Sequence, residues 1–372
     1  MIFISKQPKQ QQLEYEKFLR IAGSLSNLFS DSSIPYLYYR IAEKIFCKSF
    51  QAEDLSRSDV SADAKKDKLG IGLKTFLIGN SKTYQKVAEF NSSRVLYENL
   101  DAEKLVFKIA ELRNARINFT KKAHGIENFI YHCVLRDKGK FLIFEEQMNK
   151  IEVEFIKNVK VNTGSISFQD KKHDYSFLLS KSTLTKRFNT DEISNKFNVE
   201  IIDDPLSELE ELLSINFSEI KSTGKIRQTI FLPLYGRNRT VFEKSGLNQW
   251  NAGGRKRDPN EVYIPIPAEI HRNFPEFFPD RDTVFTLKLP DGRKMQSKIC
   301  QDNNKALMSY SNRELGQWIL RDVLGLNEGE LLTYEKLQTV GIDSVRIDKI
   351  SEDQFEINFS ATGSYDEFIE NI

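Results

Sequence analysis

The stretch Asp63-Ala-Lys-Lys-Asp-Lys-Leu-Gly-Ile-Gly-Leu-Lys74-Thr-Phe76 joins an acidic residue, a charged segment and a short apolar run that contains a lysine. Between residues 70 and 78 the pattern predicts a β-strand, in which Gly70, Gly72 and Lys74 share one face. The two glycines are expected to leave space on that face, where a ligand can approach. A carboxylate and an ammonium group at the ends of adjacent strands can together hold a divalent metal ion and a phosphate.

The elements predicted around this strand form a mixed helical and stranded region. Helices are predicted at 10–30, 36–50, 81–91, 100–118 and 180–197, and hairpins at 129–145 and 165–179. Residues 203–224 are predicted to be a linker that contains a short acidic helix at 205–213. Seven short strands and two short helices follow between 228 and 359, which is typical of a barrel or a sandwich. We therefore expect an α+β or α/β domain at 1–222 and a mostly β domain at 223–372.

The composition predicts a soluble cytoplasmic protein. The 372 residues are 40% hydrophobic and 29% charged, and no apolar run is long enough to span a membrane. We find no signal peptide at the start of the chain. Three widely spaced cysteines are typical of reduced thiols in the cytosol. With 54 basic and 53 acidic residues, the chain does not have the charge of a nonspecific nucleic-acid coat protein, although basic residues cluster locally.

The spacing of Asp63 and Lys74 resembles that of the PD-(D/E)XK nuclease superfamily. The core of that superfamily carries an acidic residue on one strand and an acid-x-lysine on the next. This chain departs from the pattern, because the position two before Lys74 is Gly72. Other nuclease chemistries fit less well: none of the four histidines begins the His-x-Lys of a phospholipase-D-type site, and Cys and His are not clustered as in a zinc site.

In several restriction enzymes of this superfamily the missing acid comes from the following helix. By that resemblance Glu89, in the predicted helix 81–91, is the candidate, and Gln85 is the alternative. Asp59 is an alternative to Asp63 as the main metal ligand, and Glu43 on the preceding helix can complete the set. The resemblance implies that Asp63 and Glu89 hold Mg²⁺ and that Lys74 orients the attacking water.

Residues 231–359 resemble the plant-type pseudobarrel DNA-binding domain, the B-three fold, as bacterial restriction enzymes use it for target recognition. The resemblance rests on Ser245-Gly-Leu-Asn-Gln-Trp-Asn251, Arg257-Asp-Pro-Asn-Glu-Val-Tyr-Ile-Pro-Ile-Pro267, Phe277-Phe-Pro-Asp-Arg281, Lys305-Ala-Leu-Met-Ser309 and Asn312-Arg-Glu-Leu-Gly316. Domains of this kind bind the major groove of DNA with two arms. By position, the arms correspond here to residues 245–257 and 301–312.

The side chains of both arms suit contacts with bases and phosphates. Amides and cations of these types read base edges or bind phosphate oxygens, and an indole ring can pack on a sugar or a base. The candidates are Asn248, Gln249, Trp250, Asn251, Arg255, Lys256, Arg257, Asn303, Asn304, Lys305 and Asn312. A separate mixture of hydroxyls and cations at 180–187 adds Lys181, Lys186 and Arg187 as candidate phosphate contacts.

Together the two resemblances imply a type II restriction endonuclease that is Mg²⁺-dependent and leaves 5′-phosphate and 3′-hydroxyl ends on double-stranded DNA. One active site cuts one strand, so double-strand cleavage implies a homodimer or sequential nicking. Such an enzyme also implies a cognate DNA methyltransferase. The alternatives are a DNA-binding regulator without catalysis, favoured by the missing acid at Gly72, and a nuclease that depends on modified bases.

Overall fold

The structure, a computed structural model, describes residues 3–56, 60–80, 82–214 and 228–372, without the side chains of 212–214. It divides into two compact units. The first contains 1–89, 100–110 and 126–224, and the second contains 90–99, 111–125 and 225–372. The chain therefore changes unit near the predicted boundary at 222, but two shorter segments inside 1–222 group with the second unit.

The first unit contains mixed helices and strands. The helices of this part of the chain are α1 Lys9–Ser24, α2 Tyr39–Phe50, α3 Ala102–His124 and α4 Pro205–Ser214. The strands are β1 Glu53–Asp54, β2 Ala64–Lys66, β3 Leu69–Leu77, β4 Lys82–Glu89, β5 Asn128–Asp137, β6 Lys140–Gln147, β7 Lys157–Asn162, β8 Ser165–Gln169, β9 Asp174–Leu178, β10 Thr183–Asn189 and β11 Ile193–Asn198. The last ten residues of the predicted linker, 215–224, lie outside the described residues.

A six-stranded sheet in the order β1-β2-β3-β5-β6-β11 is built around the predicted strand. Strands β2 and β3 pair antiparallel, whereas β3 and β5 pair parallel, from Leu69 opposite Asn128 to Leu77 opposite Arg136. Parallel neighbours need a crossover connection, and the chain supplies one that contains α3. The predicted strand at 70–78, helix at 100–118 and hairpin at 129–145 are confirmed.

One face of this sheet packs against α1 and α2. The apolar face of α1 and α2 buries Tyr15, Leu19, Phe46 and Phe50 against Ile71, Leu73, Ile130, Val134 and Ile143 of the sheet. Because strand side chains alternate, Lys74 and Gly72 point to the opposite face. That face meets the aromatic ring of Phe188, which lies 5.7 Å from the ring of Phe76 and 5.1 Å from the ring of Tyr131.

Phe188 belongs to a second, five-stranded antiparallel sheet in the order β4-β10-β9-β8-β7. The predicted hairpin at 165–179 is confirmed as β8 and β9. The predictions of helices at 81–91 and 180–197 are wrong, because residues 82–89 form β4, residues 183–189 form β10 and residues 193–198 form β11. In β10 the buried residues alternate at Leu184, Lys186 and Phe188, which is the period of a strand with one covered face.

The second unit is built on one seven-stranded sheet. Its strands are β12 Thr229–Pro233, β13 Ile264–Pro265, β14 Val284–Lys288, β15 Lys294–Cys300, β16 Ala306–Ser309, β17 Ile342–Lys349 and β18 Gln354–Ala361. The order is β12-β17-β18-β14-β15-β16-β13, and β12 and β13 at its two ends approach one another. The sheet is therefore barrel-like and nearly closed, as the strand pattern predicted.

Short helices accompany this sheet. They are α5 Ala268–Asn273, α6 Glu314–Gly316 continued by a π-helical segment Gln317–Val323, α7 Tyr334–Val340 and α8 Ser364–Glu370. The first two elements were predicted, whereas α7 and α8 were not. In the parts of the chain that the structure describes, no helix is long and apolar enough to cross a membrane. Cys47, Cys133 and Cys300 are free thiols.

Candidate functional site

Asp63 and Lys74 lie side by side at the start of β2 and in the middle of β3. The Lys74 Nζ is 3.8 Å from Asp63 Oδ2, and the same oxygen accepts a hydrogen bond of 2.7 Å from the Leu73 backbone N–H. The backbone N–H of Asp63 in turn donates to the Ile71 carbonyl at 2.8 Å. The two side chains are 28% and 26% exposed. The hairpin therefore presents a carboxylate and an ammonium group together, within reach of a ligand from solvent.

Glu43 is a second carboxylate, and its charge interacts with that of Asp63. It lies on α2 and is buried, and its Oε2 accepts a hydrogen bond of 3.1 Å from Nη1 of Arg40. Burial raises the pKa of Glu43, the neighbouring charge of Asp63 raises it further, and Arg40 opposes the shift. A raised pKa means that the surroundings disfavour the negative charge of Glu43.

The pKa of the Cys47 thiol on the same helix is also raised by nearby negative charges. Its pKa is raised to about 12, first by burial and then by the charges of Asp54, Glu43 and Asp63. The charges of three carboxylates therefore act on the Cys47 thiol. Two cations lie beside them, the Arg40 guanidinium on Glu43 and the Lys74 ammonium group on Asp63, so the acidic groups named here outnumber the basic ones, which favours binding of a cation.

The structure does not bring Glu89 or Gln85 to this site. Both residues lie on β4 in the five-stranded sheet, where Glu89 forms an ion pair with Lys86 and Gln85 is paired with Lys186 of β10. The expectation that a helix would carry them back to the metal site is therefore corrected, since residues 82–89 form a strand. Asp59, the alternative ligand, lies outside the described residues.

The space predicted above the two glycines of β3 is filled. A Cβ added to Gly72 would lie 2.5 Å from the Met148 Cε and 3.0 Å from the Tyr131 ring. A Cβ on Gly70 would lie 2.6 Å from the ring of Phe129. The glycines therefore allow side chains of the protein to pack on the strand, and they do not open a ligand cleft. An acid at position 72 would contact apolar groups.

The remaining donor set is the pair of carboxylates from Asp63 and Glu43. Among the described residues, no group of three or more His, Cys, Asp or Glu is arranged to hold a metal ion. Mg²⁺, however, commonly binds to one or two carboxylates and completes its shell with water and substrate phosphate. Asp63 and Glu43 could supply the carboxylate oxygens for such an ion.

A buried network beside the site was not predicted from the sequence. The Tyr15 hydroxyl lies 2.8 Å from Nε2 of His132, and Nδ1 of His132 lies 2.8 Å from Oε1 of Glu145. Glu145 also accepts hydrogen bonds from the backbone N–H groups of Phe3, at 2.8 Å, and Ile4, at 3.1 Å. All these side chains are buried. The network therefore fixes the N-terminal segment to β5 and β6, and His132 has a structural role.

The first arm of the second unit is organised by the buried carboxylate of Glu261. Its Oε1 lies 2.5 Å from Nη2 of Arg255, 3.5 Å from Nε of Arg257 and 2.9 Å from Nε2 of Gln249. Gln249 then accepts a hydrogen bond of 3.2 Å from Gln301 of the second arm. One acidic residue therefore orients three candidate DNA-binding side chains and connects the two arms.

Several candidates of the first arm are used by the fold. Asn248 is 1% exposed, and its amide bonds to both the N–H and the carbonyl of Leu332, at 3.0 and 2.9 Å. We therefore assign Asn248 a structural role in place of the predicted base contact. The indole N–H of Trp250 is buried and has no acceptor among the described residues. Asn251 is exposed and donates to the Glu243 carbonyl, and Lys256 is exposed.

The second arm is a tight turn with exposed polar tips. Gln301, Asn303, Asn304 and Asn312 all have positive φ, between 55° and 67°. Asparagine tolerates this backbone region better than most residues do. The backbone conformation of the arm is therefore a reason for its asparagines that is separate from any contact with a ligand. Asn303, Lys305 and Asn312 are exposed, whereas the Asn304 carbonyl accepts from His271.

The three candidate phosphate contacts at 180–187 separate in the structure. Lys186 is 3% exposed, and its Nζ lies 2.6 Å from Oε1 of Glu146 between the two sheets of the first unit. The ion pair makes Lys186 unavailable to a phosphate, so this expectation is corrected. Arg187 points to the outer face of the five-stranded sheet, and Lys181 is exposed in the turn before β10.

Comparison with known proteins gives a match for the C-terminal region. Residues 222–351 match the family model of the NgoFVII C-terminal B3-like DNA-binding domain. The predicted resemblance of the C-terminal region to the B-three domain of a restriction enzyme is confirmed. The match covers about a third of the chain, and no curated protein matches the chain.

Proposed function

We propose that this chain is a site-specific, Mg²⁺-dependent endonuclease for double-stranded DNA. The observation that carries the proposal is the match of residues 222–351 to the DNA-binding domain of a restriction enzyme. The pairing of Asp63 with Lys74 on adjacent strands of the other unit supports it. In this proposal the second unit reads the DNA with its two arms, and the first unit cuts it.

In this proposal each of three side chains has a role. Asp63 and Glu43 would hold the metal ion, which supplies stabilisation of the charge that develops on the phosphate. Lys74 lies 3.8 Å from the carboxylate of Asp63, so its ammonium group can orient a water molecule or a phosphate oxygen next to the metal ligands. The backbone N–H of Leu73 fixes the Asp63 carboxylate in place. Hydrolysis in this arrangement would leave 5′-phosphate and 3′-hydroxyl ends.

In the recognition unit, Arg255, Arg257 and Gln249 would contact the DNA from the first arm, and Asn303 and Lys305 from the second. Arginine and amide side chains are the groups that distinguish base edges in the major groove. One active site per chain implies a homodimer for double-strand cleavage, and a restriction enzyme implies a DNA methyltransferase that protects the host sequence.

A regulator without catalysis is the second candidate. It is favoured by Gly72, which stands where the nuclease pattern has an acid and is covered by Met148 and Tyr131. A nuclease that requires modified bases is a third candidate that shares the catalytic site with the first. Metal-dependent cleavage of DNA distinguishes both nucleases from the regulator. A comparison of the cleavage of methylated and unmethylated DNA distinguishes the two nucleases from one another.

The test is incubation of the purified protein with unmethylated phage DNA, with Mg²⁺ and with EDTA, beside a Lys74→Ala variant. We expect discrete bands that require Mg²⁺ and a loss of about 10²-fold or more in the variant. The Asp63–Lys74 pair is partly exposed, so its removal should change the free energy of unfolding by about 1 kcal/mol or less. Binding without cleavage of either unmethylated or methylated DNA would refute both nucleases and leave the regulator, whereas full activity of Lys74→Ala would show that the lysine is wrongly chosen.

A further inference from the structure

The outer face of the five-stranded sheet carries a row of short hydroxyl side chains. The cross-strand pairs place Lys160 beside Ser167, Ser167 beside Ser176, Ser176 beside Thr185 and Thr185 beside Lys86. Directly paired residues on adjacent strands point to the same side of a sheet. The row is therefore a shallow trough with lysines at both ends, and we refer to these five residues as the hydroxyl row.

A second row of larger side chains runs beside the hydroxyl row and forms its wall. The guanidinium of Arg187 lies 4.9 Å from the ring centre of Tyr84 and 3.1 Å from Oδ2 of Asp174. Oδ1 of Asp174 accepts a hydrogen bond of 2.6 Å from Gln169, whose Oε1 accepts one of 2.6 Å from Asn158. These five residues, together with Lys160 and Ser167, line a polar concavity of about 350 Å³.

The charge on this face is positive. Arg187 is paired with Asp174, and Lys86 forms an ion pair with Glu89. No described residue forms an ion pair with Lys157 or Lys160 on β7, and both are exposed. Acidic side chains on the face are therefore already compensated, and two ammonium groups remain for a negatively charged partner.

The hydroxyl groups of the row differ in what they can offer to a ligand. The Ser167 oxygen accepts from the Asn162 side chain at 3.3 Å, so its own hydrogen can point outward, whereas the Thr185 hydroxyl already donates to the Ser176 carbonyl at 2.9 Å. Lysine ammonium, serine hydroxyl and asparagine amide groups are the side chains that usually contact phosphate oxygens. Four strand spacings of about 4.8 Å give the row a length of roughly 19 Å. One strand of B-DNA carries about five or six phosphates along that length.

We propose that this face binds the sugar–phosphate backbone of DNA, without reading its sequence, as a second contact surface on the first unit. This inference rests on the proposed function, because it assumes that DNA is the substrate. It adds a site that neither arm of the recognition unit provides. Its contribution is electrostatic and should therefore depend strongly on salt concentration.

The experiment measures the affinity of the full-length protein for a labelled duplex of unrelated sequence at several KCl concentrations in EDTA. The variant is Lys157→Gln with Lys160→Gln, and the control is Lys9→Gln with Lys138→Gln, which makes the same charge change at exposed positions elsewhere. Each lost phosphate contact should reduce the slope of log K against log [salt] by about 0.9. We expect a reduction of about two for the β7 variant and an unchanged slope for the control.

A second pair of variants tests the trough itself. Ser167→Glu places a carboxylate in the hydroxyl row, whereas Ser167→Gln adds similar bulk without charge. We expect the glutamate variant to bind the duplex several-fold more weakly than the glutamine variant at low salt. Equal slopes for the β7 variant and its control, with wild-type DNA binding intact, would overturn this inference alone. A wild-type protein that binds no DNA would overturn both this inference and the proposed function.

Discussion

The two arms of the recognition unit depend on one buried carboxylate, so the substitution Glu261→Gln should reduce sequence specificity. Glu261 is 4% exposed and contacts Arg255, Arg257 and Gln249. Glutamine has nearly the same shape but lacks the charge that draws both guanidinium groups to one point. The arms should then sample more conformations before they bind DNA, and ordering them would reduce affinity.

The expected size of the effect follows from the contacts of Glu261 with the two arginines. The contact with Arg255 is exposed at the arginine end and should contribute about 0–1 kcal/mol. The contact with Arg257 is weakened by its length of 3.5 Å, and Arg257 keeps its hydrogen bonds to the Ala252 and Gly253 carbonyls. We therefore expect a total loss of about 1–2 kcal/mol, which corresponds to a roughly 5- to 30-fold weaker affinity for the recognition sequence.

Binding to unrelated DNA should change in the opposite direction. The substitution removes one negative charge next to the arms, and nonspecific binding is dominated by attraction to phosphates. We therefore expect it to be unchanged or tighter. The assay compares the affinity for a duplex selected by the wild-type protein with that for an unrelated duplex, in EDTA so that no cleavage occurs.

The matched control is Glu243→Gln, which makes the same charge change at an exposed residue before the first arm. The ratio of specific to nonspecific affinity should fall at least 5-fold in Glu261→Gln and stay close to the wild-type value in the control. Equal ratios in both variants would refute the idea that Glu261 preorganises the arms.

Three further predictions concern stability. Asn248→Ala should lower the free energy of unfolding by about 2–3 kcal/mol in urea denaturation, because the N–H and carbonyl of Leu332 lose their buried partner; a loss below about 0.5 kcal/mol would contradict this role. The pKa of Glu43 is raised in the folded state, so the free energy of unfolding should fall as pH rises from the unfolded pKa of about 4.3 to the higher folded value. Thermal unfolding without metal should show this fall in the wild-type protein and not in Glu43→Gln. Tyr15→Phe should lower the free energy of unfolding by about 1–2 kcal/mol, because Nε2 of His132 loses its partner. An unchanged midpoint of thermal unfolding would argue against the network.

The parts of the fold that were predicted correctly depend on local sequence. Asp63 and Lys74 are joined by a short turn, so the strand prediction alone brings them to adjacent strands. The hairpins at 129–145 and 165–179 are local in the same sense. Apolar residues alternate in the hairpin at 165–179 and form continuous buried runs in the hairpin at 129–145. In both, a turn sequence joins strands that pair within about twenty residues.

The two wrong helices at 81–91 and 180–197 have a common cause. Residues of the first form β4 and residues of the second form β10, and these strands pair with one another from Thr183 opposite Glu89 to Asn189 opposite Lys82. Each segment contains lysines and polar residues that are compatible with a helix, and their strand conformation depends on a partner about a hundred residues away. A single sequence carries little information about such a distant pairing.

For the amides of the first arm, the sequence likewise did not predict which side chains are available to bind DNA. Asn248, Gln249 and Asn251 are near neighbours in one polar loop, and their chemistry gives each the same capacity to read a base. In the structure Asn248 is buried against Leu332, Gln249 joins the two arms, and only Asn251 has an exposed side chain. The direction of a loop side chain depends on backbone geometry that residue type does not determine.

Glu43 is our candidate for the acid that is missing from β3. A carboxylate at position 72 would meet Met148 and Tyr131, so the packing of this sheet excludes the acid from its place in the nuclease pattern. A carboxylate with a purely structural role is usually stabilised by its neighbours, which lowers its pKa. Burial and Asp63 instead raise the pKa of Glu43, despite its contact with Arg40. A divalent cation would relieve both effects, which makes α2 a more reasonable source of the second ligand than β4.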